Sequence, residues 1–289
     1  MTLTVGSLFA GIGGFDLGLE RTGGFKTAWQ VEIDEYATRV LEKHWPDVRR
    51  WGDVRTFPPP AWVLCPDGDN FICSWHGGHA HDCECPDLET WDSEWRLNPY
   101  EQAHPGWKCD IITSGDPCLE NSAARVGNRT TQPSLGGEFV RVVAAIRPRL
   151  VLRENPAKVR KDAPWPWWRV RSELESLGYA CVPFRLRACC VGADHQRERL
   201  FLFGEDANSF CHGLERREDG AKGRRKPIVP ARLVQAENGI DLSAPRGMRS
   251  RAGFPDYVDR VRCVGNAVVP QVAQWIGERI LEAESNGVR

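Results

Sequence analysis

The residues best suited to covalent chemistry lie in Asp110-Ile111-Ile112-Thr113-Ser114-Gly115-Asp116-Pro117-Cys118-Leu119-Glu120-Asn121-Ser122. An apolar run with strand character breaks at Gly115. Pro117 fixes its own φ and lacks an amide donor, so the chain turns and presents Cys118 outward. A thiol beyond the C-terminal end of a strand stands where open α/β sheets place their ligands, and as the thiolate it is a nucleophile. A lone Pro-Cys step is more often a buried, inert cysteine, so its meaning rests on its companions. One is Glu154, near the end of the apolar run Leu150-Val151-Leu152-Arg153-Glu154-Asn155-Pro156. Pro156 keeps Asn155 out of a helix and leaves the carboxylate at a second strand's C-terminal edge. Arg197 and Arg199, just before the strand Leu200-Phe201-Leu202-Phe203-Gly204, share one face by alternation. They can grip a phosphate or a base carbonyl through two donors each; the plainer alternative is a solvated edge paired with Glu198.

The elements that must position these groups follow an α/β rhythm. Residues 3–10 read as a buried strand running into Gly11-Ile12-Gly13-Gly14, with Phe15, Leu17 and Leu19 opening a helix. Strand, glycine turn and helix make the opening of a nucleotide-binding unit. Asp16 breaks the G-x-G-x-x-G fingerprint, so a tight turn without a ligand is the competing reading. Ala28 to Asp34 reads as a second strand ending in acids, and Glu32, about twenty residues after the glycines, can take both hydroxyls of a ribose. Tyr36, Val40 and Leu41 have helical spacing, and Gly52-Asp53-Val54 suits the end of a third strand. Asp53 can accept from an adenine amino group or be an ordinary turn aspartate. Phe139, Val142, Val143 and Ile146 mark a helix stopping at Pro148, and Arg169 to Leu177 a further one closed by Gly178. The last segment, Arg262 to Pro270, leads into an amphipathic helix carrying Val272, Trp275, Ile276 and Ile280.

At 289 residues the chain suits one large domain with an appendage, and a net charge of −1 excludes a global basic field, so any nucleic-acid surface is local. There is no signal-peptide pattern and no apolar run of membrane length. The expectation is a cytoplasmic protein, in a bacterial cell or phage-infected host, monomeric and with reduced thiols. Residues 58–107 differ from the rest and read as an insertion. Cys65, Cys73, His76, His79, His81, Cys83 and Cys85 crowd there within twenty-one residues. Thiolates and imidazoles that close suit a tetrahedral structural Zn²⁺, with Cys73, His76, Cys83 and Cys85 the preferred ligands and unmetallated thiols the alternative. Between 205 and 253 the rhythm stops, and Arg216, Arg217, Lys222, Arg224, Arg225, Lys226 and Arg232 form the most basic run. That run is either solvated surface or a contact to a DNA backbone.

The ordered set Leu8-Phe9-Ala10-Gly11-Ile12-Gly13-Gly14, Glu32-Ile33-Asp34, Gly52-Asp53-Val54, Asp116-Pro117-Cys118, Glu154-Asn155, His195-x-Arg197-x-Arg199 and Gly265-Asn266-Ala267-Val268-Val269-Pro270 resembles the C5-cytosine DNA methyltransferases. The resemblance implies a Rossmann-like α/β fold binding S-adenosylmethionine. Phe9, Ala10, Gly11, Gly13 and Gly14 would cradle the methionine end, Glu32 and Ile33 the ribose side, and Asp53 with Val54 the adenine. Pro117, Leu135, Asn266 and Val268 would complete the pocket. Cys118 would attack C6 of a cytosine rotated out of double-stranded DNA, Glu154 would protonate N3, and Arg197 and Arg199 would hold the base carbonyl and order the catalytic loop. The implied domains are a catalytic one, 1–204 plus 254–289, the Cys/His-rich insertion 58–107 within it, and a short target-recognition region 205–253.

The chain departs from the family pattern in places. Asp116 replaces the apolar residue or Pro usual before Pro-Cys, and a carboxylate there can raise the thiol pKa. Leu119-Glu120-Asn121 replaces a Gln-Pro-Phe-like run, and His195 stands where Gln is common. Alternative readings keep the cofactor but modify RNA or transfer a different group, or make the chain a zinc-containing DNA-binding pseudoenzyme. Retention of Cys118, Glu154, Arg197 and Arg199 argues against the last.

Overall fold

The structure is a computed structural model of the chain, and it describes residues 2–59, 62–64, 71–73, 105–116, 135–156, 167–207 and 267–287. The chain opens with β1 (Leu3–Leu8), α1 (Gly14–Glu20), β2 (Phe25–Val31), α2 (Glu35–His44) and β3 (Arg49–Trp51). A small antiparallel pair, β4 (Trp62–Leu64) and β5 (Phe71–Cys73), follows. Then come β6 (Ile111–Ser114), α3 (Gly136–Ile146), β7 (Leu150–Pro156), α4 (Trp167–Ser176), β8 (Tyr179–Arg187), β9 (Glu198–Asp206) and the long α5 (Pro270–Gly287).

Seven strands form one sheet in the order β3-β2-β1-β6-β7-β9-β8. Neighbours from β3 to β7 pair parallel, and β9 runs antiparallel to both β7 and β8. The fold is Rossmann-like, and the order reverses between β1 and β6. Crossovers leave in opposite directions there and open a crevice beyond the strands' C-terminal ends. Alternation along each strand feeds two cores. Leu3, Val5, Ile111, Leu150, Leu152, Phe201 and Phe203 pack under α1 and α5, where Phe15, Leu19, Val272 and Ile276 meet them. Leu8, Val31, Ile112, Val151 and Leu202 pack on the other side against Phe139, Val142, Val170 and Leu174 of α3 and α4.

Most elements lie within a few residues of their expected places, with four differences. β2 starts and ends three residues before the expected 28–34, so Glu32 lies just past the strand and not within its end. β3 ends at Trp51, so Gly52-Asp53-Val54 belongs to the connection that follows it. β8, a nine-residue strand, was not expected at all. Pro183 within it argues for loop on sequence grounds, but β8 is an edge strand, where one missing donor is tolerated. β9 also runs to Asp206, two residues beyond the expected catalytic boundary at 204.

Asp34 caps α2 by accepting from the Ala37 amide at 3.0 Å. α3 stops where Arg147 adopts a left-handed conformation ahead of Pro148. α1 and α5 approach closely because Gly18 has no side chain: a Cβ there would run into the carbonyl of Pro270 and the methyl of Ala273. Gly18→Ala is expected to destabilise the chain by about 1–3 kcal/mol. Gly52→Ala, with nothing within 4 Å of its added Cβ, should change stability by less than about 0.5 kcal/mol. Urea midpoints of the two variants provide the comparison.

Candidate functional site

The crevice between β1 and β6 begins with backbone that only a few residues adopt. Phe9 (φ 52°), Gly11 (φ 56°) and Gly13 (φ 81°) are all left-handed, and together they turn β1 into α1. The turn is pinned from β2, because Ala10 donates to the Val31 carbonyl at 3.1 Å. Gly14 is buried against the Val268 carbonyl, leaving no room for a Cβ. Glu32 sits beside this turn: one carboxylate oxygen accepts from the Gly11 amide at 2.7 Å, the other from Asp34 at 2.8 Å. Burial pushes its pKa up, and these amides partly offset the rise. The carboxylate retains acceptor capacity for a hydroxyl. Ile33, next to Glu32, is exposed and apolar, a fitting surface for a flat ring.

On the far side of β2, Val54 is buried and Asp53 is held by its own neighbour. Its carboxylate accepts from the Arg55 amide at 3.0 Å and from the Arg55 guanidinium at 2.6 Å, which lowers its pKa. Arg141 of α3 clips this loop by donating at 2.7 Å to the carbonyls of Val54 and Phe57. Leu135, at the start of α3, packs beside the same core.

The second half of the site hangs on β6 and β7. Gly115 donates to the Leu8 carbonyl at 3.4 Å, so the chain leaves β6 beside the glycine turn. Asp116 is buried, and Arg153 meets it with two parallel bonds, Nε to Oδ1 at 2.7 Å and Nη2 to Oδ2 at 2.6 Å. Ser114 Oγ and Asn155 Nδ2 also donate to Oδ1, at 3.3 and 3.4 Å. The Asp116 carboxylate thus does not stand alone but faces a guanidinium.

Glu154 points to the opposite face of β7, 6 % exposed. Arg199 Nε lies 2.7 Å from its Oε1. Burial raises the Glu154 pKa, Arg199 and Arg197 work against the rise, and Asp116 adds to it. Arg197 is itself pulled down by burial and by Arg199. The structure thus brings Glu154, Arg197 and Arg199 together at the edge that holds the glycine turn and the end of β6. A buried carboxyl beside two guanidinia can hold or deliver a proton to a polar ring.

The family model for C-5 cytosine-specific DNA methylase matches residues 3–68 and 92–226. The chain belongs to this family. The unmatched stretch between the two blocks holds Cys73, His76, Cys83 and Cys85. Among curated relatives, the Type II methyltransferase M.Eco47II of Escherichia coli is 28 % identical, covering 73 % of this chain and 41 % of its own. The Type II methyltransferase M2.BsuMI of Bacillus subtilis is 22 % identical, covering 98 % and 77 %. The chain thus spans from about two fifths to about three quarters of the length of these relatives. Among solved structures, the S. pombe Dnmt2 methyltransferase aligns with a TM-score of 0.43 at 14 % identity, covering 75 % of this chain and 57 % of that one.

Pro117, Cys118, Asn266, His76, Cys83, Cys85, Cys65, His79 and His81 lie outside the described residues. Cys73 closes β5, with only its backbone described. Among the described residues there is no cluster of three metal-binding side chains, and no helix is long and apolar enough to cross a membrane.

Residues whose partners sequence reasoning passed over are Arg153, Asn155, Arg141 and a buried group beneath the glycine turn. In that group Asp16, fully buried, accepts from Ser7 Oγ at 3.0 Å and Gln30 Nε2 at 3.1 Å, and Thr113 donates to Ser7 at 3.3 Å. Burial raises Asp16 to about 6 from 3.8, against the pull of those donors. Between these two values the folded chain keeps a proton that the unfolded chain has released. Stability contributed by Asp16 therefore falls as pH rises through that window, by roughly 3 kcal/mol in all. Asp16→Asn has no proton to lose. Subtracting its urea-derived stability from that of the wild type, from about pH 4 to about pH 7, should expose this downward slope.

Proposed function

We propose that the chain transfers a methyl group from S-adenosylmethionine to C5 of cytosine in double-stranded DNA. The observation that carries the reading is the meeting of Glu154 and Arg199 at the sheet edge where β6 releases Pro117–Cys118, beside the glycine turn. The turn fits the cofactor: left-handed backbone at Gly11 and Gly13, with open space where a Gly11 Cβ would stand, allows close backbone approach. Phe9, Ala10, Gly11, Gly13 and Gly14 would hold its methionine end, Glu32 its ribose, and Ile33, Asp53 and Val54 its adenine. Pro117, Leu135, Asn266 and Val268 would close the pocket. When bound, this cofactor supplies an electrophilic methyl group.

The chain's own residues do the rest. C5 of cytosine is a poor nucleophile until C6 carries an electron-rich substituent. Cys118 provides it by adding as thiolate to C6, forming a C–S bond and moving the C5=C6 electrons toward C5. Glu154, kept protonated to higher pH by burial, donates to N3 and draws off the developing negative charge. Arg199 orients that carboxyl, and Arg197 with Arg199 binds the base carbonyl. After C5 is alkylated, its proton leaves to a base, the C5=C6 bond reforms and Cys118 departs as thiolate. A flipped base is required, because a thiol at this edge cannot reach C6 inside a stacked duplex. Residues 58–107, with a structural Zn²⁺ on Cys73, His76, Cys83 and Cys85, would supplement recognition of the duplex, and residues 205–253 with their basic run would carry target recognition.

The test is trapping on DNA carrying 5-fluorocytosine, joined to bisulfite sequencing of DNA from cells expressing the chain. Wild type is expected to form a stable adduct and to leave methylated cytosines at one sequence. Cys118→Ser should form no adduct. Glu154→Gln, which cannot deliver a proton, should lower the rate by about 10²–10⁴-fold. Adduct formation on RNA but not DNA, or none on either, overturns the reading.

A further inference from the structure

We propose that Asp116 and Arg153 act as one charge-compensated latch, in which Arg153 positions the Pro117–Cys118 step and cancels the Asp116 charge that would otherwise disfavour the Cys118 thiolate. The role rests on Cys118 being the nucleophile; the latch itself rests on geometry.

Both side chains are nearly inaccessible, 2 % and 3 % exposed, and they meet through two parallel bonds. Bidentate pairing fixes the carboxylate in direction as well as distance. Ser114 on β6 and Asn155 on β7 donate to the same carboxylate, so the last residue before Pro117 is tied to both strands. Arg153 and Glu154 are consecutive on β7 and face opposite sides of the sheet. One residue therefore anchors Asp116, two residues before the nucleophile, and the next carries the carboxyl that would act on the ring. Their spacing is set by a single step of strand. A purely structural pair would gain nothing from this place, since apolar residues of similar volume fill such a space at least as stably.

Charge supplies the second half of the argument. Cys118 lies two residues from Asp116, so their Cα atoms are at most about 7.6 Å apart. An uncompensated carboxylate at that range disfavours a thiolate, and an uncompensated guanidinium favours it. Arg153 meets Asp116 directly through its guanidinium, and Glu154 on β7 shares the field of Asp116; Arg197 and Arg199 on β9 act on Glu154.

The two single variants must then err in opposite directions. The readout is the pH dependence of Cys118 alkylation by iodoacetamide, followed by peptide mass spectrometry on the full-length chain without DNA or cofactor. Arg153→Leu should move the midpoint up by about one pH unit or more, and Asp116→Asn should move it down. The double variant should return close to wild type. Loss of structure alone would move both single variants the same way. Shifts of the same sign, no shift in either, or a double variant that keeps the Arg153→Leu shift overturns the proposal. If Arg153→Leu does not fold, the near-isosteric Asp116→Asn decides it, through a downward shift or its absence. Because neither DNA nor cofactor enters the measurement, it judges the latch whether or not the methyl-transfer reading survives its own test.

Discussion

A carboxylate removed from water must be met by donors, and at the end of β6 that requirement organises two strands at once. Asp116 accepts from Arg153, Ser114 and Asn155. Removing one partner of such a buried pair costs about 3–5 kcal/mol, because the survivor keeps its desolvation penalty. That magnitude is a large share of the marginal stability of a whole domain. The ends of β6 and β7 are therefore not free to slide past one another, and whatever follows Asp116 starts from a fixed point. The register Ser114↔Arg153 expresses the same constraint in backbone terms.

The crevice beside this anchor is shaped by absence of volume. Gly14 and Gly18 let α1 close onto Val268, Pro270 and Ala273, so the last described segment of the chain lies against the first. Val268 also lies close to Gly115: a Cβ on that glycine would sit 3.5 Å from Val268 Cγ2. Residues far apart in sequence thus meet beside the crevice, through the Val268 backbone at Gly14 and its side chain at Gly115. Beneath the turn the packing is polar, with Ser7, Asp16, Gln30 and Thr113 bonded to one another between the sheet and α1. Such a network specifies one arrangement, because a hydrogen bond lost there is not replaced by water.

Much of this was legible in the chain. Glycines 11, 13 and 14, the acid at 32 and the break at Gly115 are local signals, and each lies at the crevice. The order of elements followed from apolar runs ended by Pro or Gly. What stayed hidden depends on partners distant in sequence. Arg153 sits in an apolar run, and only its contact with Asp116, thirty-seven residues earlier, explains a charge there. Arg141 lies on an amphipathic helix like any surface arginine, yet it bonds carbonyls more than eighty residues away. β8 was concealed by Pro183, whose tolerance comes from an edge position that no local pattern reveals. The Cys/His cluster was legible as chemistry, but its ligands fall outside the described residues.

The antiparallel course of β9 is what makes the arginines useful. In a parallel strand, the end that begins with Glu198 would lie at the N-terminal edge of the sheet, away from the crevice. Nine residues of strand separate the two edges by roughly 27 Å at about 3.4 Å per residue. Arg199 could not then reach Glu154. Because β8 runs parallel to β7 and β9 turns back between them, residues 188–197 connect at the crevice edge and deliver Arg197 and Arg199 there. Pairing of Pro156 with Arg199 places the arginine two residues past Glu154 on the neighbouring strand, on the same face and within reach of its carboxylate. A reversal of one strand thus converts a sequence motif at the start of β9 into part of the same site as the glycine turn before α1.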